Sequence, residues 1–197
     1  MKRLSIFVVG IVIGAAIVAY GFVPNDHHDQ HPIADPHDTK YHVHADFHIV
    51  INGERLDLSG DEFQTTSLQQ LHGDLHLHDN NGDVKHIHAE DKTFVEFLNS
   101  LGMDLTAKCV VTPEEVKYCA DDTNILRLYV NNERYTDEVA EYVPVDGDRI
   151  LVYYGVDDKE TIQAFINEVP ADSCYYSGTC PERGIAPPES CGLTCEL

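Results

Sequence analysis

The stretch "DLHLHDNNGDVKHIHAE", residues 74–90, places four histidines within thirteen residues, at positions 76, 78, 86 and 88, on either side of an Asn-Asn-Gly. Leu75, Leu77, Ile87 and Ala89 fill the odd positions between them. Alternation with period two is the pattern of a β-strand with one buried face. Two such arms around turn residues make a hairpin. Parity then fixes its register. Both arms bury the same face only if the numbers of paired residues sum to an even value. A two-residue Asn81-Gly82 loop gives an odd sum. A three-residue loop, Asn80-Asn81-Gly82, closes on Asp79 and Asp83 as a type I turn with a glycine bulge. The predicted partners are then Leu75 with Ile87, His76 with His86, and Asp74 with His88. A slip of one residue would turn every imidazole into the core.

The upstream stretch "YHVHADFHIVINGERLDLS", residues 41–59, repeats the pattern. Val43, Phe47, Ile49 and Ile51 take the odd positions, and His42, His44, Asp46 and His48 take the even ones. Asn52-Gly53 signals a tight hairpin turn. The histidines are expected on an exposed polar face, with this first hairpin flanking the second. Downstream, Asp91 is the expected cap of a helix carrying Phe94, Phe97, Leu98 and Leu101, with Gly102 at its end. "KCVVTPEEVKYC", residues 108–119, reads as a hairpin. Pairing Thr112 with Val116 sets Cys109 opposite Cys119, within bridging distance. Further strands follow in "ILRLYVNNERYT" and "VPVDGDRILVYYG", then a helix carrying Ile162, Phe165, Ile166 and Val169 up to Pro170. Hairpin, helix and more strands make an α+β layout. Over residues 74–155 the order resembles the β-grasp folds, in which a mixed sheet wraps one helix.

The chain has 197 residues, 43% of them hydrophobic, which is enough for one domain with appended ends. Residues 1–24 hold Lys2 and Arg3, then an uncharged run from Leu4 to Val23. As a helix that run spans roughly 30 Å, one hydrocarbon core. It reads as an uncleaved transmembrane anchor with its basic end in the cytoplasm. The partner here is the membrane, and the rest of the chain lies outside the cytoplasm. Residues 25–40, polar and containing His27, His28, His31 and His37, read as a linker. The α+β domain is expected over 41–170, followed by a cysteine-rich tail over 171–197. Against 34 acidic residues stand only 13 Lys and Arg, a net charge of -21. That balance excludes nucleic acid, whose phosphates require a basic face. It suits attraction of cations, or a surface kept soluble at high salt. The six cysteines, Cys109, Cys119, Cys174, Cys180, Cys191 and Cys195, all follow the anchor, where an even number implies disulfides.

Imidazole is the commonest neutral metal ligand near pH 7. Side chains at i and i+2 of a strand point the same way, about 6.5–7 Å apart. A facing strand adds a third ligand. The candidate ligands are His44, His48, His76, His78, His86 and His88, and the candidate ions are Zn2+ and Cu2+. With two methionines and the cysteines in an oxidising compartment, Cu(I) and blue-copper sites are disfavoured. "DNNGD" lacks the distal bidentate glutamate of a calcium loop, and turn chemistry accounts for it. A pH-sensing histidine surface and a plain solvated face are the competing readings. No motif specifies a reaction; Asp46, Asp74 and Glu90 are candidate bases only by sequence proximity.

The set "HVHADFHIVING", "LHLHDNNGDVKHIHAE", "FVEFLNSLGM", "LYVNNERY" and "DGDRILVYYG", with the tail "CPERGIAPPESC", resembles a group of small, membrane-anchored or secreted, histidine-rich proteins of archaea and little-studied bacteria. Some members carry the label protein-disulfide isomerase, which implies thiol exchange through the C-terminal cysteines. The tail spacings here are C-x5-C and C-x3-C, with no C-x-x-C. The sequence therefore points first to a tethered extracytoplasmic metal-binding domain. A thiol–disulfide oxidoreductase and a non-catalytic surface module are the alternatives.

Overall fold

A computed structural model describes residues 41–66 and 68–186. The anchor over 1–24, the linker over 25–40, and Cys191 and Cys195 lie outside the described residues. Among the described residues no helix is long and apolar enough to cross a membrane.

Among the described residues ten strands form in chain order: β1 (Val43–Ile51), β2 (Glu54–Arg55), β3 (Leu75–His76), β4 (Val84–Ile87), β5 (Asp104–Leu105), β6 (Cys109–Val111), β7 (Lys117–Cys119), β8 (Asn124–Val130), β9 (Glu133–Arg134) and β10 (Arg149–Val156). Among the same described residues stand three α-helices: α1 (Phe94–Ser100), α2 (Lys159–Glu168) and α3 (Ser173–Tyr176). The main sheet runs β3-β4-β1-β10-β8-β9, with β2 also paired to β1. β1 and β10 are parallel, and the other pairs are antiparallel, so the sheet is mixed and the architecture α+β. A smaller sheet, β5-β6-β7, stands apart.

Parity set the registers. Leu75 pairs with Ile87 and His76 with His86, and the His88 N–H donates to the Asp74 carbonyl at 2.9 Å. Cys109 pairs with Cys119 and carries a disulfide. The first hairpin does flank the second: β1 pairs with β4, with His44 opposite His86. Asn52 and Gly53 both hold positive φ, 54° and 85°, as a two-residue turn that follows the strands' right-handed twist demands. The loop of the second hairpin differs from expectation. Its left-handed residues are Asp79 and Asn80, and Gly82 is not among them. Gly82 is needed for closeness instead, because a Cβ there would meet the Leu58 carbonyl carbon at 2.6 Å. The cap of α1 also differs. Thr93, not Asp91, is the N-cap, and it forms a capping box with Glu96.

Both faces of the sheet are covered. Odd residues of β1, with Leu75, Ile87 and Ile150, pack against Phe94, Phe97 and Leu98 of α1. Each such side chain contributes about 1.5–3 kcal/mol by leaving water. On the other face Val50, Leu151 and Tyr153 pack against Ile162 and Ile166 of α2. Residues 172–177 continue that second layer over β1. The Asp46 carboxylate accepts from the Asp172 and Ser173 backbone N–H groups and from the Ser173 hydroxyl. Every residue of β1 after Val43 is consequently buried, so the even face is an interior and not the exposed polar surface expected from sequence.

Candidate metal centre

Three adjacent strands in the order β3, β4, β1 set even-numbered side chains in rows across the covered face. His76, His86 and His44 form one row by register. Just beyond the paired residues lie Asp74, His88 and His42, with the His88 N–H donating to the Asp74 carbonyl. Six imidazoles result in contact. Ring centroids lie 4.4 Å apart for His42 and His44, 4.5 Å for His44 and His86, and 3.8 Å for His78 and His86. His88 lies 4.4 Å from His42 and 4.9 Å from His76. His44 is 1% exposed, and His76 and His86 are 0% exposed. The cover comes from the tail. The Tyr176 ring sits 5.8 Å from His44 and 5.4 Å from His86, and its hydroxyl accepts from the Asn81 amide at 3.2 Å.

Among these rings, one nitrogen each from His42, His44 and His86 lie within 4.8 Å of one another, so the three can hold a metal ion. A tetrahedral ion about 2.0–2.1 Å from each nitrogen would draw them to roughly 3.4 Å.

Hydrogen-bond chains stand behind two of the three rings, His44 and His86. His44 Nδ1 lies 2.7 Å from the Ser177 hydroxyl oxygen, and that hydroxyl donates to the Asp146 carboxylate. A serine that donates to Asp146 accepts from His44 Nδ1–H, which puts the proton of a neutral His44 on Nδ1. A second chain serves His86. His78 Nδ1 lies 2.7 Å from the Asp79 carboxylate, and His78 Nε2 lies 3.1 Å from His86 Nδ1. Asp79 accepts only, so His78 carries its proton on Nδ1 and accepts on Nε2. A neutral His86 then donates from Nδ1 to His78 Nε2. Carboxylate-ended chains behind ligating imidazoles fix the tautomer and raise basicity. A donor set of neutral imidazole nitrogens suits Zn2+, Cu2+ and Ni2+.

Charge around the site favours a cation. Burial raises the Tyr41 hydroxyl pKa, and the charges of Glu90, Asp91 and Asp146 raise it further, so those carboxylates impose a negative potential on this end of the sheet. Burial likewise pushes the Asp46 carboxyl up, against the hydrogen bonds from Asp172 and Ser173. Asp46 serves the docking of the tail, which removes it as a candidate base.

Of the six histidines expected as ligands, His44 and His86 join the close group. His76, His78 and His88 share the array around it. His48 does not. Its Nε2 lies 2.9 Å from the Arg55 guanidinium, and Arg55 also pairs with Asp83 at 3.1 Å. The guanidinium engages His48 Nε2, and His48 is not one of the three rings whose nitrogens converge. Burial works to raise the Asp83 carboxyl, but the contacts with His48 and Arg55 outweigh it and hold its pKa below the usual value. His42, left out of the expected ligand set, takes the third place. Its signal was present in the sequence, because it shares the even face with His44. Ser177, Tyr176 and Asp146 had no such signal, lying over a hundred positions from His44 in the chain. The Cys174–Cys180 disulfide closes the loop that bears Tyr176 and Ser177. Among the described residues every cysteine is in a disulfide, so no thiolate competes as a ligand.

Comparison with family models, with curated proteins and with solved structures returned no match.

Proposed function

We propose that this protein is a membrane-tethered, extracytoplasmic metal-binding protein that holds Zn2+ or Cu2+ on His42, His44 and His86 for sensing, storage or hand-over. The observation that carries the reading is the convergence of three imidazole nitrogens within 4.8 Å on a covered sheet face. The hydrogen-bond chains behind His44 and His86 support it, because they pre-set the ligating tautomer. The uncharged run from Leu4 to Val23 supports tethering. Two disulfides support an oxidising compartment. Three protein ligands leave a fourth coordination position, the place for an exchangeable group in hand-over. A β-grasp-like reading of the sheet is supported by the parallel β1–β10 centre with α1 packed on one face. In this reading the chain is one of the small histidine-rich anchored proteins that its motifs resemble.

Metal content decides the proposal. The full chain in detergent, dialysed against buffered zinc, is expected to retain zinc by elemental mass spectrometry. Replacing His42, His44 and His86 together by Ala should remove at least the ion held by these three. Equal metal content in the two proteins would reject the assignment.

A further inference from the structure

His44 and His86 are 1% and 0% exposed, so an ion held on them exchanges through movement of what covers them. The loop over residues 174–180 is that cover. Its Tyr176 ring stands 5.8 Å from His44 and 5.4 Å from His86, and its Ser177 hydroxyl meets His44 Nδ1 at 2.7 Å.

The Cys174–Cys180 disulfide is the main restraint on this loop. The rest of its frame is one turn. The four residues of α3 are followed by bonds from the Ser177 N–H to the Ser173 carbonyl at 3.0 Å and from the Thr179 N–H to the Cys174 carbonyl at 2.9 Å. So short a helix does not hold by itself in water. Asp46 anchors the Ser173 end, but Tyr176 and Ser177 lie beyond that anchor, between the two cysteines. A bond that closes a loop restricts the open states available to it.

The two sulfurs are not equivalent. Cys174 is half-buried, whereas Cys180 is 8% exposed. The Arg183 guanidinium donates to the Ala171 carbonyl and to the Asp172 carboxylate, at 2.6 Å each, and its Nη1 stands 4.0 Å from Cys174 Sγ. A cation beside a sulfur favours its thiolate and makes that sulfur the better leaving group.

We propose that the Cys174–Cys180 disulfide is a thiol-exchange site that gates the metal, and that its partner is an external dithiol. The inference rests on the proposed metal-binding function and adds its regulation. One thiol of the partner loses its proton and attacks the more accessible Cys174 Sγ. A mixed disulfide forms there as the Cys174–Cys180 bond breaks, and Cys180 leaves as a thiolate and takes up a proton. The partner's second thiol then loses its proton and attacks the partner's own sulfur in the mixed disulfide. Cys174 leaves as a thiolate beside Arg183. The partner ends as a disulfide, oxidised by two electrons, and the chain ends with both cysteines reduced. The loop opens, Ser177 leaves His44, and the ion is free to pass to an acceptor.

The test uses the full chain in detergent, loaded with zinc sulfate. Zinc content of the oxidised chain is measured first; no bound zinc overturns the metal-binding reading itself. Graded treatment with dithiothreitol, then alkylation and peptide mass spectrometry, is expected to label Cys174 and Cys180. A bond that stays closed overturns the exchange site. Zinc release to a chromogenic chelator is then followed after graded reduction with a water-soluble phosphine, which adds no thiol to bind zinc. Release should quicken roughly 10–100-fold, the scale of losing a group that orients a metal ligand. The gain should track labelling of Cys174 and Cys180 and vanish on reoxidation. Release that tracks Cys109 and Cys119, or Cys191 and Cys195, overturns the assignment to this loop. Unchanged or slower release from chains labelled at Cys174 and Cys180 overturns the gate and leaves the metal site standing.

Discussion

Lys85 stands opposite Ala45, on the apolar face of β4, with its ammonium 5.1 and 5.5 Å from the Phe94 and Phe97 ring centres. It is 0% exposed, and its Nζ has no hydrogen-bond partner among the described residues. Burial drives its pKa well down, against the opposing pull of Asp148. A buried polar group without a partner costs about 1–3 kcal/mol. Lys85→Met keeps the volume and removes the polar atom. It should therefore stabilise the protein by about 1–3 kcal/mol in urea unfolding, and a loss of stability would show that Lys85 has an unseen partner. Asp79 offers a second residue-scale test. Without its carboxylate, His78 no longer holds His86 in the ligating tautomer. Asp79→Ala should weaken zinc binding roughly 10–100-fold by calorimetric titration. His48→Ala should leave affinity unchanged, because His48 lies outside the three converging rings and is held by Arg55. Equal losses in the two variants would mean that histidine content alone sets the affinity. The even-position histidines were legible in sequence because strand parity assigns faces. The exclusion of His48 was not, because it depends on Arg55 reaching back across the first hairpin.

At the scale of elements, pairing followed from parity. Leu75 with Ile87 and Cys109 with Cys119 are each the pairing that keeps apolar side chains on one face. Turn conformation was less legible, because it responds to neighbours. Asn81 uses its side-chain oxygen to accept from the Asp83 and Val84 N–H groups, and Leu58 crowds Gly82. The tail was the least legible element. Its role over the histidines comes from Asp46 receiving Ser173, two residues 127 positions apart. Nothing local in "CYYSGTC" announces that contact. The Cys174–Cys180 disulfide holds Tyr176 and Ser177 against the array. Replacing both cysteines by Ser should destabilise the protein by about 2 kcal/mol or somewhat more. It should also weaken zinc binding, since Ser177 orients His44. Binding that is undiminished after the double replacement would show that the loop is a cover and nothing more.

On the scale of the whole molecule, the parallel pairing of β1 with β10 places β1 at the centre of the sheet, with a covering layer on each side. The mixed sheet and its helices were expected from the succession of patterns. The burial of both faces was not, because alternation of polar and apolar residues ordinarily marks a strand with one wet face. Here the polar row lies inside, and its imidazoles require a function or a compensating set of contacts there. The proposed metal ligation would tie the acidic composition, the hydrogen-bond chains behind His44 and His86 and the covered array into one account. X-ray absorption at the zinc edge of the zinc-loaded chain measures it most directly. The expected spectrum shows nitrogen neighbours at about 2.0–2.1 Å, with the outer-ring scattering of at least three imidazoles per ion at the His42, His44 and His86 site. A coordination sphere of water and carboxylate oxygen, with fewer than two imidazoles per zinc on average, would contradict the account.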